Sequence, residues 1–159
     1  MRTRVVLAIA AAVFLFFISG VRPLQAQAMS LTLSITPQTI TFPADDPDTS
    51  PSVAADRAVQ VTIRATGMGT RTWQLTLRAN GNLSDFWSLA SIAISNVSWT
   101  ATSVPPFRDG ALAANVEQLA ATRSGNYQGR GDLTFSLLNS WSYWAGSYSQ
   151  TVAFTLSAV

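Results

Sequence analysis

Along most of this chain every second residue is apolar, and that rhythm decides what it can fold into. Leu31, Leu33 and Ile35 alternate with Thr32, Ser34 and Thr36 until Pro37 interrupts, and Ile40 and Phe42 resume the pattern. Val59, Val61, Ile63 and Ala65 point one way, with Gln60, Thr62 and Arg64 between them. Trp73, Leu75, Leu77 and Ala79 repeat it, as do Val97, Trp99 and Ala101, and Leu133, Phe135 and Leu137. The longest run closes the chain: Tyr148, Gln150, Val152, Phe154, Leu156 and Ala158 on one side, hydroxyl residues and Ala153 on the other. Successive side chains of a strand face opposite ways, so each run is a strand with one apolar face. Several such strands must bury those faces against one another. The reading is all-β: an immunoglobulin-like antiparallel β-sandwich of about seven to nine strands.

The punctuation between the runs agrees. Gly67-Met68-Gly69-Thr70 reads as a hairpin turn and Asn80-Gly81-Asn82 as a tight turn. Val104–Gly110 and Ser124–Gly131 read as loops, and Pro43–Pro51, with three prolines and three aspartates, as irregular chain. Ala111–Thr122 permits a turn or two of helix, and a strand over Val116–Ala121 fits equally well.

Before the strands, residues 1–28 read as a secretory leader. Arg2 and Arg4 precede the apolar run Val5–Ile18, and Ala26-Gln27-Ala28 offers a small-residue cleavage site. Residues 29–159 then form a single domain, exported to the cell surface or the medium, with no membrane anchor once the leader is gone. All ten basic residues are arginine, and Arg2, Arg4 and Arg22 fall within the leader. The remaining seven against eight acids leave a near-neutral domain, which excludes the basic footprint of a nucleic-acid binder.

Missing residue types narrow the chemistry further. With no cysteine the fold rests on packing alone, and thiolate metal sites and cysteine nucleophiles are excluded. With no histidine there is no Ser-His-Asp triad and no imidazole zinc site. With no lysine there is no Schiff base and no P-loop. Outside the Asp45-Asp46-Pro47-Asp48 cluster the carboxylates are Asp56, Asp85, Asp109, Glu117 and Asp132, and their spacing pairs none of them for glycoside cleavage. The aspartate cluster lacks the spacing and glycine of an EF-hand loop and reads as a solvated turn. No enzyme, cofactor or metal is expected. Arg130-Gly131-Asp132 spells an integrin tripeptide, but it reads more simply as the approach to the Leu133 strand.

The best candidate for ligand contact is Asn139–Tyr148, where Trp141, Tyr143, Trp144 and Tyr148 fall among serines between two strands. Aromatics held in a polar loop can stack on the apolar face of a sugar, and stacking without charge suits a neutral glycan. Alternatively Trp141 or Tyr148 plugs one end of the sandwich. Trp87 reads as a lid of that kind.

Two motifs carry a family resemblance. Trp73-Gln74-Leu75 is a Trp-x-Leu element inside a strand, and the closing stretch Ala145–Leu156 ends on Phe154-Thr155-Leu156. The pair resembles WxL domains, secreted β-rich modules of bacterial surfaces, which carry one Trp-x-Leu mid-domain and a second at the C-terminus; here phenylalanine stands at the second tryptophan. The ending is also similar to that of pilin and adhesin sandwiches. The WxL resemblance implies an exported surface protein attached non-covalently to peptidoglycan. Parity alone places Trp73, Leu75, Phe154 and Leu156 on inner faces, as core. The partners expected are therefore peptidoglycan or another surface glycan, other surface proteins, or further copies of the chain. A fimbrial or surface-layer subunit that donates or accepts a strand, with Leu31–Phe42 as the donated segment, is the alternative.

Overall fold

The computed structural model describes residues 28–85 and 89–159. The leader reading therefore lies, save Ala28, outside the described residues, as does Trp87. The described chain is all-β, with several antiparallel sheets in a sandwich-like arrangement. Its strands are β1 (Ser30–Thr36), β2 (Ser52–Ala54), β3 (Val59–Thr66), β4 (Thr72–Ala79), β5 (Leu83–Asp85), β6 (Ser91–Ile92), β7 (Val97–Ala101), β8 (Gly110–Ala111), β9 (Gln118–Ser124), β10 (Tyr127–Leu138), β11 (Tyr148–Ser149) and β12 (Val152–Ala158). Seven of these have five or more residues; the rest are short pieces that prolong or trim a sheet.

One sheet runs β1-β3-β10-β7-β8, with β2 pairing the far end of β10. A second runs β12-β4-β9, and a small third runs β11-β5-β6. The period-two residues decide which face is buried. Val61, Ile63 and Ala65 of β3 and Trp73, Leu75, Leu77 and Ala79 of β4 are fully buried, while Thr62 and Arg64 are exposed. Each large side chain so buried contributes about 1.5–3 kcal/mol. The core adds Trp99, Phe107, Leu133 and Phe135, with Trp73 against Tyr127 (ring centroids 5.1 Å apart) and Trp99 against Phe135 (6.1 Å).

Four local expectations are corrected. Gly67–Thr70 is not a hairpin turn: β3 and β4 belong to different sheets, and the segment crosses between them. Met68 on that crossing is buried, and its N–H donates to Asn126 Oδ1 at 2.9 Å. Ser124–Gly131 is a loop only at Gly125-Asn126, since β10 already starts at Tyr127. Its glycines make room for rings: a Cβ on Gly131 would lie 2.5 Å from Phe107 Cδ2, and one on Gly129 would collide with the Tyr127 ring. Of the two readings of Ala111–Thr122 the strand is the one formed, as β9 over Gln118–Ser124 rather than Val116–Ala121, and there is no helix there. The closing run is two strands, because Gln150 turns out of the ladder to donate to Asn82 O (2.7 Å) and to accept from its neighbour Thr151 N. β11 then pairs β5 while β12 pairs β4.

The sandwich has one closed flank. There the chain between β7 and β8 reaches across to β9: Arg108 N–H donates to Ala120 O and Thr122 N–H to Pro106 O. Trp99 Nε1 donates to Arg108 O at 2.9 Å, and Phe107 is driven into the core above Gly131. On the opposite flank β1 and β12 approach each other, but no backbone bond joins them among the described residues.

Candidate functional site

The flank formed by β1 and β12 is the candidate site. Each is the last strand of its sheet, pairing β3 and β4 respectively and nothing beyond. Leu31, Leu33 and Ile35 of β1, and Val152, Phe154 and Leu156 of β12, face inward yet are only half-buried, whereas their neighbours on β3 and β4 are sealed. The core is thus only partly covered along this side: β1 and β12 approach each other without pairing, and the gap lies toward Leu33, Ile35, Val152 and Phe154. Neither β1 nor the stretch from Tyr148 to Val159 carries a charged residue. Exposed edges are ordinarily blunted by charge, proline or a bulge, because their free N–H and C=O groups invite another strand. Here only Pro37, just past β1, provides such a block.

Between the two edges lies a groove of about 1400 Å³. One wall is Leu33–Asp45, running from β1 into the irregular segment with Ile40 and Phe42; the other is Asn139–Phe154. Val59, Leu83, Ile94 and Phe135 lie on its floor. Local bonds fix both walls. Thr41 N–H donates to Asp56 Oδ1 (2.9 Å), and Asp56 N–H returns the bond to Thr41 O (2.8 Å). Chiefly the Thr41 bond, aided by Arg57 beside it, holds the Asp56 carboxyl below the usual carboxylate range. Across the mouth, Asn139 Nδ2 donates to Asp45 O and Ser50 O, tying the aspartate turn to the aromatic loop. The turn is internally bonded, Ser50 Oγ and Asp46 N–H donating to Asp45, which lowers the Asp45 pKa.

All four aromatics of the Asn139–Tyr148 loop line this groove. Trp141 and Trp144 are 69% and 77% exposed, and Tyr143 and Tyr148 are half-buried. The loop is not loose. Trp141 Nε1 donates to Asp48 Oδ1 (3.0 Å), Tyr148 Oη to Trp144 O (2.8 Å), and Asn96 Nδ2 to Tyr143 Oη (2.8 Å). Two indoles are therefore held in water with their polar contacts made within the chain or left to solvent. The residues of the two Trp-x-Leu-type motifs divide. Trp73 and Leu75 are fully buried; Phe154 lines the groove, and Leu156, cross-strand from Leu75, is half-buried.

Comparison of the chain with protein-family models, curated proteins and solved structures returns no match.

The remaining candidates are structural in their geometry. Asp109 Oδ1 accepts from Ala101 N–H, Asp132 from Gln60 Nε2, and Asp85 from Ser147 N–H. Among the described residues no three histidine, cysteine, aspartate or glutamate side chains converge as a metal site. Arg130-Gly131-Asp132 lies within β10, paired with Thr62, Val61 and Gln60 of β3 and just before the residues that pair β7, with Gly131 buried. Sequence reasoning found the aromatic loop but missed the groove. The overlooked signal was the want of charge on the first and last strands together.

Proposed function

We propose that this protein is an exported, non-catalytic β-sandwich of immunoglobulin-like type that acts as an assembly subunit, accepting an extended strand of another polypeptide along its open flank. One observation carries the reading: two unpaired, uncharged edges face each other over an apolar groove that leaves the core half-covered. An added strand would satisfy the edge N–H and C=O groups and cover Leu33, Ile35, Val152 and Phe154 in the same step, so ladder bonds and apolar burial reinforce each other. The leader at residues 1–28 and the resemblance to surface β-modules support placement outside the cytoplasm.

The test is titration of the purified protein with the heptapeptide Thr-Val-Thr-Val-Thr-Val-Thr, followed by tryptophan emission. Saturable binding that is lost in Leu33→Lys, while that variant still unfolds cooperatively, supports the reading. An absence of saturable binding to the wild-type protein contradicts it.

A second reading rests on Trp141 and Trp144. Their exposed rings suit stacking on a neutral cell-wall glycan, the attachment that the WxL resemblance implies. Retention of the protein on isolated sacculi, lost in a Trp141→Ala/Trp144→Ala double variant, is the result that reading expects.

A further inference from the structure

Resting on the strand-accepting reading, the charge around the groove points to the chemistry of its occupant. We infer that the partner is an extended segment of alternating apolar and hydroxyl residues, uncharged through the groove, that carries one or more basic residues at the end lying by the aspartate turn, and that Trp141 and Trp144 close over it there.

The argument starts from what lines the groove. Asp45 is the one charged residue on its lining among the described residues, and Asp46 and Asp48 share its turn. No arginine of the described chain lies on that lining. The mouth is therefore negative at one end and neutral along its length. A neutral, low-dielectric channel strongly disfavours a charged side chain within it, which restricts the inserted stretch to apolar and hydroxyl residues. At the mouth, a basic residue meets up to three carboxylates partly in solvent, where complementary charge sets register and discriminates against wrong partners more than it adds affinity.

The tryptophans complete the picture. Asp48 takes part in both features, since its Oδ1 accepts from Trp141 Nε1. The acid turn and the indole thus form one fixed unit, with Asn139 bonding the turn to the aromatic loop. Trp and Tyr side chains exposed as these are belong to the types enriched among residues that dominate binding once a partner buries them. A guanidinium drawn to the turn would also lie within reach of an indole face, an arrangement favourable in its own right.

The experiment compares three kinds of peptide built on Thr-Val-Thr-Val-Thr-Val-Thr, each made in two forms with Arg-Arg, Ser-Ser or Asp-Asp added at one end or the other, and read by tryptophan emission at low salt and at about 0.5 M salt. The account expects one arginine-extended form to bind about five- to tenfold more tightly than its serine counterpart at low salt, and the aspartate form to bind more weakly still. It expects the spread to shrink at high salt and to vanish in Asp45→Asn/Asp46→Asn/Asp48→Asn. Trp141→Ala/Trp144→Ala should weaken all three kinds of peptide by about tenfold or more, with the unfolding temperature unchanged. Equal affinity for arginine and aspartate forms overturns this inference while leaving strand acceptance standing. Failure of every peptide to bind overturns strand acceptance itself. If a neutral oligosaccharide shifts Trp141 and Trp144 emission and no peptide does, both fall to the glycan reading.

Discussion

Thr41 and Asp56 are bonded to each other twice, backbone N–H to carboxylate at 2.9 Å and backbone N–H to carbonyl at 2.8 Å, and this pair holds one wall of the open flank to the body of the sandwich. The rest of the Leu33–Asp45 wall has no strand partner after β1 ends at Thr36. Its position depends on a charged acceptor.

That dependence has a pH signature. The folded-state pKa of Asp56 is depressed, mainly by the Thr41 bond, and that of Asp45 by Ser50 and the Asp46 N–H. A depressed carboxylate pKa contributes stability that is present above the unfolded value and is lost as pH falls through the folded value. The wall is therefore held through the neutral range and loosens below about pH 4. Amide exchange at Thr41, corrected for the intrinsic rate, should rise on acidification before that of β3 and β4 does. Asp56→Ala should show the same loss at neutral pH. Uniform protection of Thr41 down to pH 2 would contradict the assignment.

Trp73 predicts a stability pattern rather than a single loss. It is fully buried, tilted against the Tyr127 ring, and its indole Nε1 has no hydrogen-bond partner among the described residues. Trp73→Ala should cost about 3–5 kcal/mol in denaturant unfolding. Trp73→Phe should cost less than half as much, because it keeps most of the ring while removing an unsatisfied donor. Equal losses for the two would show that Nε1 is satisfied after all.

Gly131 and Phe107 should behave as a coupled pair. A methyl group at Gly131 would press on a ring that is itself buried, so Gly131→Ala should destabilise by about 1–3 kcal/mol. Adding Phe107→Leu should recover part of that loss, giving a coupling of about 0.5–3 kcal/mol in a double-mutant cycle. Strict additivity would mean the ring moves aside freely.

How much of this was legible in the sequence follows from what each signal measures. Alternation reports which face of a strand is buried, and it placed Val61, Ile63, Leu75, Trp99 and Phe135 in the core, where they lie. It does not report which strand pairs with which. Gly67–Thr70 looked like a hairpin because β3 and β4 are neighbours in sequence, yet the chain crosses between sheets there. Glycine misled at Gly129 and Gly131 because it marks close approach as well as turns, and the rings that approach come from Tyr127 and Phe107. The aromatic loop was visible as a cluster, since it is local. The groove was not, because Leu33, Ile40 and Phe154 come together only through long-range pairing.

Hydrogen exchange along the two edge strands, with and without a bound strand peptide, tests the central claim most directly. Without peptide, the outward amides of β1 and β12 should exchange far faster than those of β3 and β4; with saturating peptide, both edges should become protected together. If β1 and β12 are already as protected as β3 and β4 in the protein alone, or if the peptide protects some other part of the chain, the open flank is not where this protein binds.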